Sequence, residues 1–266
     1  KAGLTQQQVN NSQEEDIINE CLILHGTNYQ KRAYEKCNTF KYVIANNLLS
    51  VSKLMFYNCE CLEIVYMPKV EKIENGFLDT KTQYGLGGFS FCPIKDIYFQ
   101  NLKYVGSFAF YNCKSAVGVD LPKCTEIGEE AFLGCEYLQI IVLNKTRIIG
   151  GAVFLYCSSL TDLFIPKAKT IGISIIGNCP KLEAIYRLYG DKFECFDGEC
   201  NQQHLCPVCN RSIGVCLKKG KNSKYRNQKL MQIEELLDSE DSEENINDDE
   251  YEEENEEYEE FDYDES

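Results

Sequence analysis

Seven cysteines, Cys37, Cys59, Cys92, Cys113, Cys135, Cys157 and Cys179, follow one another at intervals of 22, 33, 21, 22, 22 and 22 residues. That is a period and not a set of pairs. Self-similarity at roughly 20–29 residues marks a solenoid, because a single repeat of that size cannot bury its own apolar face and must stack on its neighbours.

Other positions keep the same register. Three residues before each cysteine stands a bulky group: Tyr34, Phe56, Phe89, Phe110, Phe132, Phe154 or Ile176. Three residues after it come Phe40, Leu62, Ala116, Leu138, Leu160 and Leu182, with Ile94 one place early. Apolar residues return at the sixth and eighth places, as in Val43 and Ala45 or Ile141 and Leu143. Spacing by two is strand spacing, so each repeat is expected to give one short strand to a parallel sheet. Pro68, Pro122 and Pro166 end the strand, since proline cannot donate to the ladder. A second apolar position follows at Val51, Ile73, Val105, Ile127, Ile149 and Ile171, and the last four precede a glycine, which suits a tight turn.

The repeat therefore reads F-x-x-C-x-x-L-x-x-I-x-L-P-K-x-x-x-I-G-x-x-A-F. Its clearest copies are FYNCKSAVGVDLPKCTEIGEEAF and FLYCSSLTDLFIPKAKTIGISII. The pattern resembles the BspA-like leucine-rich repeats over residues 34–186. The resemblance implies an α/β repeat fold, mostly β: a leucine-rich-repeat solenoid with a parallel sheet of short strands, often used in adhesion or protein contact. It names no ligand, because a fold does not fix a function. The repeat cysteines read as small buried groups whose thiols cap backbone groups. Copies one strand spacing apart, about 5 Å, also permit disulfides without requiring them.

Between the last two buried residues of each strand lies a position that should face outward: Ile44, Tyr66, Tyr98, Asp120, Val142, Phe164 and Tyr186. Such a stacked apolar and aromatic stripe is a candidate surface for a protein partner. β-propensity alone also enriches these residues on strands. Lys69, Lys123, Lys145 and Lys167 stack into a basic edge, read as a solvated rim. The one long interval carries about 11 extra residues around Asp79–Gly88, expected as a glycine-rich loop that either carries specificity or is merely tolerated.

Outside the repeats the chain divides by composition. Residues 1–33 suggest a helical cap, with Thr5–Gln8 as a capping box and Val9, Ile17, Cys21 and Leu24 near helical spacing. The solenoid proper spans 34–190. In 191–217, Cys195, Cys200, Cys206 and Cys209 offer four soft donors for a structural zinc ion, against a disulfide-stapled cap or free thiols. Residues 218–233 form a basic linker. From Glu234 to Ser266 there are 20 acidic residues and no Lys or Arg, so the net charge of −15 is a property of this tail, which should be disordered.

Only His25 and His204 occur, and no nucleotide-binding, zinc-protease or nucleophile-elbow motif is present, so catalysis and a small-molecule substrate are not expected. No element resembles a base-reading module, which weighs against nucleic acid. No apolar run is long enough to span a bilayer. The polar N-terminal stretch and the regular cysteines favour a cytoplasmic interaction scaffold. The family resemblance and the N-x-S/T contexts of Asn10, Asn144 and Asn210 favour a secreted or surface adhesion protein.

Overall fold

The computed structural model describes residues 15–182 and 184–186, and among these there is no helix. The expected strand appears in every repeat: Tyr42–Ala45, Ile64–Tyr66, Asp96–Tyr98, Gly118–Asp120, Ile140–Val142, Asp162–Phe164 and Ala184–Tyr186. Their pairing is parallel and equivalent residues are register partners, as in Val119 with Ile97 on one side and Ile141 on the other. The second apolar position makes a second parallel sheet of six strands, running unbroken from Ser50–Val51 through Lys72–Ile73, Tyr104–Val105, Glu126–Ile127 and Ile148–Ile149 to Thr170–Ile171. The first sheet is interrupted between Ile64–Tyr66 and Asp96–Tyr98, at the long interval.

Between the sheets runs one continuous core. Its spine is the position three before the cysteine: Tyr34, Phe56, Phe89, Phe110, Phe132 and Phe154 stack nearly parallel, with successive ring centroids 5.5, 5.3, 5.3, 5.2 and 5.9 Å apart. A ring stacked on both sides and closed in by Leu62, Ala116, Leu138 or Leu160 is fully withdrawn from water. Burying such a ring is worth about 1.5–3 kcal/mol before any specific ring–ring term.

In the repeats other than that of Cys92, the segment leading to the cysteine is built from two left-handed residues four apart. Leu54 and Asn58, Phe108 and Asn112, Ala152 and Tyr156, and Ser174 and Asn178 all have φ between 52° and 60°. Left-handed backbone costs a residue with a Cβ about 1–2 kcal/mol. Hydrogen bonds between repeats hold it in place: Phe108, Phe110 and Asn112 donate their backbone N–H groups to Glu129, Ala131 and Leu133 at 2.8–2.9 Å.

The helical cap expected near the start is overturned where it can be compared. Ile17 and the pair Cys21 and Leu24 lie on two antiparallel strands, Glu15–Ile18 and Cys21–Leu24, joined by Asn19 and Glu20 with φ of 52° and 61°. Positive φ at both central residues is the tight hairpin turn that matches strand twist. A strand is also what the sheet edge needs, because Cys21–Leu24 pairs in parallel with Tyr42–Ala45 and so covers the open edge of the first repeat. Thr5–Gln8 and Val9 lie outside the described residues.

The inserted residues form a hairpin and not an irregular loop. Phe77–Asp79 pairs antiparallel with Tyr84–Leu86, and Asp79 closes the turn by accepting from the Thr82 hydroxyl and backbone. That hydrogen bond, first among several, holds the Asp79 carboxyl below its ordinary range. The hairpin rests on aromatic residues of the turn arm: Tyr84 meets Phe91 at 5.5 Å, and Phe91 meets Tyr57 and Tyr111 at 5.9 and 5.7 Å.

Candidate partner-binding face

Six repeat cysteines point into one line of carbonyl groups. The thiols of Cys59, Cys92, Cys113, Cys135, Cys157 and Cys179 donate to the carbonyls of Tyr34, Phe56, Phe89, Phe110, Phe132 and Phe154, at 2.9–3.4 Å. Each acceptor is the residue three before the preceding cysteine, so the aromatic stack and the thiol ladder lock the same two repeats. Cys37, in the first repeat, is half-buried and its sulfur lies 3.2 Å from the Thr39 hydroxyl. All the described cysteines are free thiols.

With that arm tied inward, the outer side of the first sheet is the face on which alternating strand residues stand. Of the seven stripe positions, Tyr66 and Tyr98 are the exposed aromatic pair, at 58% and 56%, with Ile64 beside Tyr66 at 44%. Asp120 is exposed and is the register partner of Tyr98. Ile44 is half-buried and packs into a small second cluster with Cys21, Ile23, Ile18 and Tyr42. Val142 and Phe164 do not face water, at 7% and 1% exposure, so the expectation of an open stripe along the whole sheet is corrected there. Alternation along a strand reports which side faces the core, not whether the other side is open. Tyr186 is the register partner of Phe164.

Ion pairs border this face where the chain enters the strands. Lys41 pairs with Glu20 at 2.9 Å, and Lys95 pairs with Glu63. The hydrogen bond from Lys95 holds the Glu63 carboxyl below its usual range, and that from Lys41 to Glu20 raises the Lys41 ammonium. At the opposite rim the lysine row is laddered: Lys69 donates to Asn47 Oδ1 at 3.0 Å and Lys123 to Asn101 Oδ1 at 2.7 Å, while Asn101 Nδ2 donates to the Pro68 carbonyl at 2.7 Å. Lys145 and Lys167 hold the equivalent places.

Among the described residues, no group of three or more His, Cys, Asp and Glu side chains is placed to hold a metal ion, and no helix is long and apolar enough to cross a membrane. Cys195, Cys200, Cys206 and Cys209, with the basic linker and the acidic tail, lie outside the described residues. The N-x-T context at Asn144 is built into a turn: Thr146 is buried and its hydroxyl donates to the Cys124 carbonyl at 2.9 Å. Sequence reasoning missed this position, where Leu48, Val70, Leu102, Cys124, Thr146 and Ala168 recur in register and are all buried. Its signal was the 22-residue spacing, hidden because the residue types differ in polarity.

Parallel short-strand sheets, a stacked phenylalanine spine and thiols bonded from repeat to repeat define a leucine-rich-repeat solenoid. A family model described as the BspA type leucine rich repeat region matches in six copies over residues 22–84 and 82–200, and the chain belongs to that family. Comparison with curated proteins gives no match. Among solved structures, a leucine-rich repeat protein from Bacteroides ovatus is 21% identical with a TM-score of 0.41, over 62% of this chain and 46% of that one. A leucine rich repeat protein of T. pallidum is 20% identical with a TM-score of 0.37, over 65% and 67%. A leucine rich cell surface protein from Faecalibacterium prausnitzii is 18% identical with a TM-score of 0.36, over 58% and 49%. The chain spans about half the length of the Bacteroides and Faecalibacterium proteins.

Proposed function

We propose that this chain is a non-catalytic repeat protein that binds another protein on the open part of its first sheet, centred on Tyr66 and Tyr98. The observation that carries the reading is that two large aromatic side chains, on equivalent positions of strands held by the solenoid core, stand more than half exposed. Rigid aromatic groups give large contact area at small entropic cost, and such residues dominate binding energy at protein interfaces. A repeat scaffold suits this role because it fixes the spacing of neighbouring side chains without a mobile loop.

Site-specific photo-crosslinking tests it. A benzophenone side chain placed at position 66 or 98 is expected to give a discrete protein adduct in extracts of the source cells, and the same probe at exposed Tyr137 is not. The adduct should be lost from the probe at 66 when Tyr98→Ala is added. Equal adducts at all three positions, or none at 66 and 98, would remove the proposal.

A further inference from the structure

The outward row that precedes the tyrosines has one missing side chain. Equivalent places carry Tyr42, Ile64, Asp96, Ile140 and Asp162, but the strand between Asp96 and Ile140 has Gly118. A Cβ built on Gly118 meets nothing within 4 Å. This contrasts with Gly106, Gly128, Gly150 and Gly172, where a Cβ would strike backbone. No close packing requires glycine at 118, so its absent side chain leaves an open notch in the sheet face.

The chemistry around the notch is one-sided. Asp96 is its exposed neighbour in register, half-buried Ile140 is the neighbour on the other strand, and Tyr98 and Asp120 stand in the next row. Strands are about 4.8 Å apart, so the two flanking strands leave a gap about 10 Å across, enough for one extended side chain. None of the outward positions in the strands from Tyr42–Ala45 to Asp162–Phe164 carries Lys or Arg, whereas three carry Asp. The nearby cation at Lys95 is directed to Glu63.

We propose that the notch at Gly118 receives a lysine or arginine side chain from an extended segment of the protein partner; this rests on the reading of the face as a protein-binding surface. The aliphatic stem lies over the glycine and against Ile140, the cationic head pairs with the Asp96 carboxylate, and the Tyr98 ring offers its face to the same cation. The chain already uses that last contact on itself: Lys53, Lys72 and Lys36 lie 4.5, 5.3 and 6.0 Å from the ring centroids of Phe77, Tyr104 and Tyr57. An acidic segment would meet the Asp96 carboxylate and be repelled, so the notch also selects.

The test uses the full chain, immobilised, and a set of extended nine-residue peptides identical except for a central Arg, Lys, norleucine or Glu. The Arg and Lys peptides should be retained about tenfold better than the norleucine and Glu peptides, a ratio typical of one charge-assisted contact. Asp96→Asn should remove most of that preference. Gly118→Phe, which fills the notch without touching the core, should abolish retention while leaving the thermal midpoint unchanged. Retention of the Arg peptide that survives Gly118→Phe places binding elsewhere on the chain and overturns the inference, as does failure to retain any peptide. Equal retention of the norleucine and Arg peptides, lost in Tyr66→Ala and Tyr98→Ala, overturns the cationic notch but keeps the binding face. Retention indifferent to both tyrosines overturns the two together.

Discussion

The Cys113 thiol donates to the Phe89 carbonyl at 3.1 Å, which ties the turn of one repeat to the aromatic spine of the repeat before it. Both groups are fully buried. Removing the thiol therefore takes one of two donors from a carbonyl that also accepts from the Cys92 backbone N–H at 3.1 Å. Cys113→Ala should lower unfolding stability by about 1–2 kcal/mol, from the lost inter-repeat hydrogen bond and a small cavity. Cys37→Ala, at a half-buried site in the first repeat, should change it by less than about 0.5 kcal/mol. Urea unfolding followed by circular dichroism separates the two, and equal effects would show that the ladder contributes nothing to stability.

Burial also sets how these thiols respond to pH. Desolvation, the leading cause in each case, pushes Cys135 and Cys124 up to about 12 and Cys179 up to about 11, from an ordinary value of 9.0. Below pH 9 the thiol is neutral in both the folded and the unfolded chain, and the stabilising preference for the neutral form is fully present. Above pH 9 the unfolded chain releases protons that the folded chain keeps, so stability falls as pH rises toward the folded values. Each such thiol should steepen the decline by about 1.4 kcal/mol per pH unit. Urea midpoints should change little between pH 7.5 and 9 and drop between pH 9 and 10, with a shallower decline in Cys135→Ala than in the unsubstituted chain.

How far the sequence anticipated this molecule depends on what each position reports. Phe110, Cys113, Val119 and Ile127 were legible because burial at fixed spacing leaves an apolar residue in every copy. The left-handed turns were not, because Leu54, Phe108 and Ala152 have no propensity for that backbone and their turns are held by N–H groups, those of Phe56, Phe108 and Ala152, that donate to carbonyls of the next repeat. Near the start, Ile17, Cys21 and Leu24 satisfied helical spacing by coincidence, while the requirement to cover a sheet edge decided for strands. On the candidate face, alternation found Tyr66 and Tyr98 but could not distinguish them from Val142 and Phe164, since it reports the side of a strand and not its exposure.

The turn glycines follow a different rule from the one their spacing suggested. None of Gly106, Gly128, Gly150 and Gly172 has positive φ; they are needed because adjacent repeats touch there. A Cβ on Gly128 would lie 2.5 Å from the Ser107 backbone nitrogen. Gly128→Ala should therefore destabilise by about 2–3 kcal/mol through overpacking, whereas Gly118→Ala, with open space around it, should be neutral or slightly stabilising by up to about 0.5 kcal/mol. Thermal melts of the two single variants give the contrast directly.

Conversely, a residue with a side chain now occupies left-handed backbone where glycine would be free of strain. Ala152, at φ 55°, is the simplest case, since it has only a methyl group to lose. Ala152→Gly should leave stability unchanged or raise it by about 0.5–1 kcal/mol, the reverse of the usual effect of glycine substitution. A loss above about 1 kcal/mol in urea unfolding would mean that packing of the methyl group outweighs the backbone term.

The inserted hairpin should behave as a separable unit. No residue of 77–86 belongs to the main core, and beside the Tyr84–Phe91 contact the hairpin packs closely on the solenoid at Gly85, where a Cβ would stand 2.1 Å from Phe108 Cδ1 and 2.7 Å from Tyr111 Cδ2. Gly85→Ala should lift the hairpin off those rings and leave the stacked repeats intact. Lys81, exposed in the hairpin turn, then reports the change: tryptic cleavage after it should accelerate about tenfold, while the thermal midpoint moves by less than about 3 °C, as expected when opening is local and not global. A large drop in midpoint together with the faster cleavage would instead make the hairpin part of the cooperative core, bridging the interval at which the first sheet is interrupted.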